Sequence, residues 1–128
     1  MRVGFGSTVL AQGLVSGSMD GIGYYSQELG NSLVAQGTDL TPVTFGAMNT
    51  DLFNKSPCAL PGFTVGLGLG ILGINYPGTQ QLCTRLDVFH ATDHRIPRLK
   101  GTPVLATIMD AIPFVHPEWV SQRFRFIK

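Results

Sequence analysis

The sequence predicts an α/β fold in which helices flank a mainly parallel sheet. Short apolar segments typical of strands alternate along the chain with amphipathic helical segments, an order that favours parallel pairing. The apolar run at residues 103–109 is continuous rather than alternating, which is typical of a strand buried on both faces of a parallel sheet. With 128 residues, of which 44% are apolar, the chain is expected to form a single domain over residues 1–128.

The composition excludes several classes of protein. Charged residues make up 13% of the chain, and its formal net charge is +1. A disordered chain combines low hydrophobicity with high charge, and a protein that wraps nucleic acid carries a large positive charge, so neither class fits. No apolar run reaches the roughly 18–20 residues of a membrane span. The first residues do not resemble a signal peptide, so we expect a cytoplasmic protein.

The clearest helix covers residues 20–36. Its apolar side chains recur on one face with the 3.6-residue period of a helix: Ile22, Tyr25, Leu29 and Leu33. Asp20 is placed to cap the first N–H groups of this helix, and Gly37 is placed to end it in the left-handed conformation.

The segments before and after this helix predict strands and loops. Residues 1–5 predict a first strand, and residues 6–19 predict a loop because they show no dependable period. Residues 40–45 predict a second strand, which Pro42 favours at an edge of the sheet.

The middle of the chain is less regular. Residues 46–62 predict an irregular connection, and the glycines of residues 63–74 predict neither a good helix nor a good strand. Residues 79–86 predict a short helix, and residues 86–91 predict a strand. After the strand at 103–109, residues 117–127 predict a final helix, opened by a proline and an acidic residue.

Two glycine motifs are candidates for binding phosphate. Residues 68–73 match the G-x-G-x-x-G dinucleotide fingerprint, but a Pro-Gly turn follows too soon for the helix that this site requires. Gly21 and Gly23 open the predicted helix at residue 20. Their backbone N–H groups could meet a phosphate there, or the two glycines could serve close packing of the helix; the sequence leaves both possibilities open.

The charges are unevenly distributed. Residues 1–84 hold two basic and four acidic residues, whereas residues 85–128 hold seven basic and four acidic residues and all three histidines. The basic end could attract an anionic ligand or form a solvated face. Cys58 and Cys83 fit no metal-site or redox spacing, so we expect no metal site; they predict reduced thiols or one disulfide.

Three stretches in order resemble the N-terminal domain of the group 1 glycosyltransferases. They are residues 21–29 (GIGYYSQEL), residues 87–92 (DVFHAT) with IPRL at 96–99, and residues 103–110 (PVLATIMD) with IP at 112–113 and HPEW at 116–119. These enzymes are retaining, use nucleotide sugars and have two Rossmann-like domains, the GT-B architecture. The resemblance therefore implies a Rossmann-like N-terminal domain, which residues 1–128 represent in truncated form.

The resemblance also implies roles for particular residues. Gly21 and Gly23 would approach the phosphates of the donor. His90, Thr92 and Asp93, after one strand, would line the acceptor side. Asp110, after the next strand, would be the catalytic residue, a carboxylate that orients the acceptor hydroxyl; the alternative is that it caps the turn after the strand. The carboxyl ends of parallel strands are also where open α/β sheets bind ligands.

The chain departs from the family in two respects. Met109 stands where the family commonly has a histidine, and a methionine cannot carry a proton. The family's second domain, with its paired-glutamate motif, has no counterpart; Glu28 and Glu118 are the only glutamates here and do not resemble that motif. We therefore expect no transferase activity from the chain alone.

The resulting prediction is the acceptor-side part of a mannosyltransferase-like enzyme. It would need no cofactor, since the nucleotide sugar is a substrate. Its partners would be a glycan or lipid acceptor and a donor-binding domain or a second copy, in the cytoplasm or at the inner face of a membrane. The alternative is a non-enzymatic α/β module that self-associates or docks on a partner.

Overall fold

The computed structural model describes residues 1–109, 115, 116 and 118. Within these residues five strands and four helices follow one another: β1 (Arg2–Gly6), α1 (Thr8–Ser16), α2 (Gly21–Ala35), β2 (Asp39–Phe45), β3 (Cys58–Leu60), α3 (Phe63–Ile71), α4 (Thr79–Cys83), β4 (Val88–Ala91) and β5 (Val104–Ala106).

The five strands form one parallel sheet in the order β3-β2-β1-β4-β5. This order is that of a Rossmann-like fold, and the α/β prediction is confirmed. The order reverses at β1, which pairs with β2 on one side and with β4 on the other. Ligands of open α/β sheets bind in the crevice at such a reversal, outside the carboxyl ends of the strands.

The helices cover both faces of the sheet. On one face a core cluster joins the strand residues Phe45 and Phe89 to Leu82 of α4 and to Tyr76. On the other face Leu10 of α1 belongs to a smaller cluster. The two clusters lie on opposite faces because successive side chains of a strand point in opposite directions.

The helix α2 confirms the prediction made from its ends. The Asp20 carboxylate accepts a hydrogen bond from the Gly23 N–H at 2.8 Å, which satisfies one of the free donors of the first turn. Gly37 has a φ of +80°. The N–H groups of Gly37 and Thr38 donate to the carbonyls of Val34 and Leu33, the pattern of a Schellman motif.

The loop predicted at residues 6–19 is wrong, since α1 occupies residues 8–16. This helix buries Leu10 and Ala11, and its own Gly13 packs against Met19. Met19 also packs against Gly23 of α2, so one methionine fills the space that a glycine leaves on each helix. These contacts are tertiary, which explains why a local period did not reveal α1.

Pro42 does not place β2 at an edge, because β3 lies outside it. The Val43 carbonyl accepts from Ser7, so the backbone of Val43 faces β1 and the nitrogen of Pro42 faces the side of β3. Pairing with β3 begins only at Val43, which lies opposite Cys58. The missing N–H of Pro42 therefore interrupts no ladder bond.

The segment from residue 46 to residue 74 contains two elements that were not expected. The strand β3 is three residues long and forms an edge of the sheet. The glycine-rich segment forms the helix α3, in which Gly66 lies against the ring of Tyr76. A short helix near residue 79 and a strand near residue 88 were expected and are present as α4 and β4.

The strand predicted at residues 103–109 is present as β5, but it is shorter and lies at the other edge of the sheet. All three of its residues are exposed, so the expectation of burial on both faces is wrong. Among the residues that the structure describes, no helix covers β5 on either face; the helix predicted at 117–127 lies almost wholly outside them.

Candidate functional site at the carboxyl edge of the sheet

The carboxyl ends of β1 and β4 are joined by a buried side chain. Thr92 follows β4, and its hydroxyl donates to the Gly6 carbonyl at the end of β1 at 2.6 Å. Ser7, the residue that follows β1, is buried as well. Thr92 was predicted to meet an acceptor, but its one proton is used to hold the two central strands together.

His90 lies at the centre of a small polar group beside this edge. Its Nε2 atom is 2.8 Å from the Thr107 hydroxyl oxygen, and the Tyr25 hydroxyl is 3.2 Å from the same oxygen. The ring of Phe5 meets the imidazole edge to face, with 5.6 Å between the centroids. Burial lowers the pKa of His90 below its ordinary value, because a low-dielectric surrounding disfavours the charged form.

Asp93 is buried and paired within its own loop. One carboxylate oxygen accepts from the Arg95 N–H at 2.7 Å, and the other forms an ion pair with the Arg95 guanidinium at 2.7 Å. These contacts fix the turn that leaves β4. The predicted acceptor residue therefore shapes the loop behind His90 in this structure.

The two glycines predicted to meet phosphate have different surroundings. The position that a Cβ of Gly23 would occupy is taken by Met19, so close packing explains this glycine. Gly21 is exposed and has nothing within 4 Å of its Cβ position. The helix that directly follows β1 is α1, so Gly21 opens the second helix of the chain rather than the first.

The structure brings two of the predicted regions together. Tyr25 lies one turn after Gly21 on α2, and through Thr107 it reaches His90 at the end of β4. Met109 is two residues beyond Thr107. Asp110, the predicted catalytic acid, lies outside the described residues.

Sequence reasoning missed Thr107 and assigned Tyr25 to the core. One signal for Thr107 was present, since it is the one hydroxyl-bearing residue in the apolar run at 104–109. No local pattern in the sequence indicated that Tyr25 contacts Thr107, because 82 residues separate the two. Only the sheet order brings them within reach of each other.

The other candidate features do not join this group. The glycines of the dinucleotide fingerprint lie within and just after α3, not before a helix N-terminus, so their geometry does not fit that site. A shallow cleft of about 250 Å³ lies beside α3, lined by Tyr76 and Arg98 among others, and another of about 430 Å³ includes Cys83 and Lys100. In the described part of the chain, no three His, Cys, Asp or Glu side chains are grouped as metal ligands.

Comparison with known proteins yields no match: no family model, no curated protein and no solved structure is significantly similar to the chain. The helices described here include none with the length and hydrophobicity needed to cross a bilayer.

Proposed function

We propose that this chain is the acceptor-side domain of a retaining hexosyltransferase that uses a nucleotide sugar, with mannose as the expected sugar. The resemblance of three stretches to the group 1 glycosyltransferases is the starting point. The observation that carries the proposal is the polar group around His90 at the carboxyl edge of the sheet. Open α/β sheets bind their ligands at this edge.

The chemistry of the group suits recognition of a sugar hydroxyl. Burial favours the neutral form of His90, and a neutral imidazole has one donor and one acceptor nitrogen. Met109 carries no proton, so the proposal gives the histidine role at this edge of the sheet to His90. Asp110 keeps the role that the resemblance gives it, orientation of the acceptor hydroxyl.

The donor is assigned to the exposed N-terminus of α2. The phosphates of a nucleotide sugar would meet the backbone at Gly21, where nothing lies within 4 Å of the Cβ position; the Gly23 N–H is already engaged by Asp20. A second domain, as in the GT-B architecture, would hold the rest of the nucleotide. The proposal sets this activity in the cytoplasm, and at the inner face of a membrane if the acceptor is a lipid.

Binding measurements test the donor side. We expect saturable calorimetric binding of a nucleoside diphosphate from a panel of GDP, UDP and ADP, or of its mannose or glucose conjugate. Gly21→Val should weaken this binding, because its side chain would occupy the approach. Gly68→Val is the matched control, since Gly68 is also an exposed helix glycine with open space around it. Equal loss in both variants would contradict a role for Gly21.

The acceptor side is tested with a simple hexoside. Saturation-transfer NMR with methyl α-mannoside should show binding by the wild type and loss of binding in His90→Gln. Absence of binding by the folded wild type, together with absence of nucleotide binding, would overturn the proposal. Multiple-turnover sugar transfer by the purified chain alone would contradict the proposal that the chain supplies only the acceptor-side domain.

A second candidate is a non-enzymatic module that self-associates. It is favoured by the exposed apolar edge of the sheet, where Leu105 is 56% exposed and Ile108 is 77% exposed. Light scattering distinguishes the two candidates. A stable dimer without nucleotide or hexoside binding would favour the module, whereas ligand binding by a monomer would favour the transferase domain.

A further inference from the structure

We propose that Tyr25 and Thr107 are positioning residues that hold the proton of His90 on Nδ1, so that His90 meets its ligand as a hydrogen-bond donor and not as a base. The part of this inference that concerns the acceptor rests on the proposed function. The part that concerns the imidazole depends only on the contacts within this chain.

The three side chains form a continuous hydrogen-bond chain from α2 to β4. The Thr107 hydroxyl is the junction, because its oxygen lies 2.8 Å from His90 Nε2 and 3.2 Å from the Tyr25 hydroxyl. A threonine hydroxyl has one proton to donate. It can therefore donate to only one of its two neighbours, and when that proton goes to His90 the oxygen accepts from Tyr25 through a lone pair.

The relative acidity of the two hydroxyls decides which of them donates the hydrogen bond. A tyrosine phenol is much more acidic than an aliphatic alcohol and is the better donor of the two. Tyr25 therefore donates to Thr107, and Thr107 donates to His90 Nε2. A neutral imidazole whose Nε2 accepts a hydrogen bond carries its proton on Nδ1.

The surroundings of the ring favour the same state. The edge-to-face contact with Phe5 restricts the orientation of the imidazole. Protonation of the ring would place a second N–H on Nε2, pointing at the oxygen of Thr107. Thr107 would then have to accept from His90 and direct its own proton away from the imidazole. Burial already lowers the pKa of His90, and the hydrogen bonds through Thr107 add to this preference for the neutral ring.

This arrangement limits what His90 can do in the proposed reaction. With its proton on Nδ1 and its Nε2 lone pair engaged by Thr107, the neutral ring has no nitrogen left to accept a proton from an acceptor hydroxyl. It can donate a hydrogen bond to the lone pair of a sugar oxygen. His90 would thus fix the orientation of the acceptor, and deprotonation of the acceptor would fall to another group.

The tautomer is measured directly by long-range ¹H–¹⁵N NMR of the imidazole in the ligand-free chain at neutral pH, where signals lost in His90→Gln identify the ring. In the wild type we expect the Nδ1–H form to dominate, opposite to the preference of free histidine. Tyr25→Phe should lower the ratio of Nδ1–H to Nε2–H by roughly three- to tenfold, the effect of losing one hydrogen bond. Tyr24→Phe, at an exposed tyrosine one residue earlier on the same helix, should leave the ratio unchanged.

Variants of Thr107 distinguish a role of its hydroxyl in positioning the His90 proton from a role of its side chain in packing. Thr107→Val removes the hydroxyl while keeping the volume, and should shift the ring toward Nε2–H. Thr107→Ser keeps the hydroxyl and should restore the wild-type ratio. A dominant Nε2–H form in the wild type, or equal effects of Tyr25→Phe and Tyr24→Phe, would overturn the inference.

Adding methyl α-mannoside separates this inference from the proposed function. A change in the Nδ1 signal on titration, lost in Thr107→Val and retained in Thr107→Ser, would support both. A dominant Nδ1–H form that does not respond to the hexoside would support the hydrogen-bond chain and count against the assigned acceptor.

Discussion

Arg2 and Asp87 fasten the start of β1 to the residue that precedes β4. The Arg2 N–H donates to one carboxylate oxygen of Asp87 at 2.7 Å, and the guanidinium pairs with the other at 2.7 Å. The Asp87 N–H returns a bond to the Arg2 carbonyl at 2.8 Å. The hydrogen bonds from Arg2 lower the pKa of Asp87 from 3.8 to about 2.

This shift predicts how stability depends on pH. A carboxylate whose pKa is lower in the folded than in the unfolded state stabilises the fold above its unfolded pKa, here 3.8. That contribution is lost as the pH falls toward about 2. We expect Asp87→Asn to lower the urea midpoint at neutral pH by a small amount, because the pair is exposed, and by progressively less as the pH falls. In an Arg2→Gln background, the pH-dependent part of the effect of Asp87→Asn on the urea midpoint should be smaller.

Two glycines at the ends of α2 should respond oppositely to alanine. Gly37 has a φ of +80°, where a Cβ is strained, so Gly37→Ala should lower the free energy of unfolding by about 1–2 kcal/mol. Gly21 has open space and no positive φ, so Gly21→Ala should be neutral or stabilise by up to about 1 kcal/mol. Denaturant unfolding of both variants tests this, and destabilisation by Gly21→Ala would contradict the open environment described.

The helix α3 shows that packing can stabilise a helix that its glycine content disfavours. Gly66 lies against the ring of Tyr76, whose hydroxyl is in turn fixed on the Pro61 carbonyl at 2.5 Å. The ring also meets Phe45 at 5.4 Å between centroids. Because the hydroxyl is hydrogen-bonded and the ring packs against Phe45, the Tyr76 side chain has little freedom to move away from a larger residue at position 66.

A matched pair on α3 tests this contact. Gly66→Ala should destabilise by roughly 1–3 kcal/mol, since the added methyl would overlap the Tyr76 ring. Gly68→Ala, at an exposed position of the same helix, should stabilise by up to about 1 kcal/mol through helix propensity. Thermal unfolding with the same sign for both variants would be inconsistent with α3 as described.

The elements that could be predicted from the sequence are those whose signals are local. The ends of α2 are marked by Asp20 and Gly37, and both caps form within one turn of the helix. By contrast, α1 depends on contacts with Met19, and α3 depends on Tyr76. In the candidate site, His90 was identified through the family resemblance, whereas its contact with Thr107 depends on the pairing of β4 with β5.

The sheet has two unequal edges. The β3 edge contributes Leu60 to the core, whereas β5 exposes Val104 and Leu105. An exposed apolar edge strand presents unpaired backbone groups to other chains.

If the protein self-associates, this asymmetry predicts that the β5 edge forms the contact. Leu105→Lys should shift the protein toward the monomer in concentration-dependent light scattering, with little loss of stability because Leu105 is largely exposed. Val65→Lys is the control, an exposed apolar side chain on α3. A larger effect of Val65→Lys would locate self-association at α3 instead.

The central position of β1 affects how the chain is assembled during synthesis. The strand β1 is synthesised before both of its partners: it pairs on one side with β2, which follows soon after, and on the other with β4, which ends only at Ala91. Pairing over such a separation in sequence slows folding, because the intervening chain must first be ordered. The nascent chain therefore holds one side of its central strand open until β4 has been synthesised. During that interval the open side of β1 is the surface that a chaperone has most reason to shield.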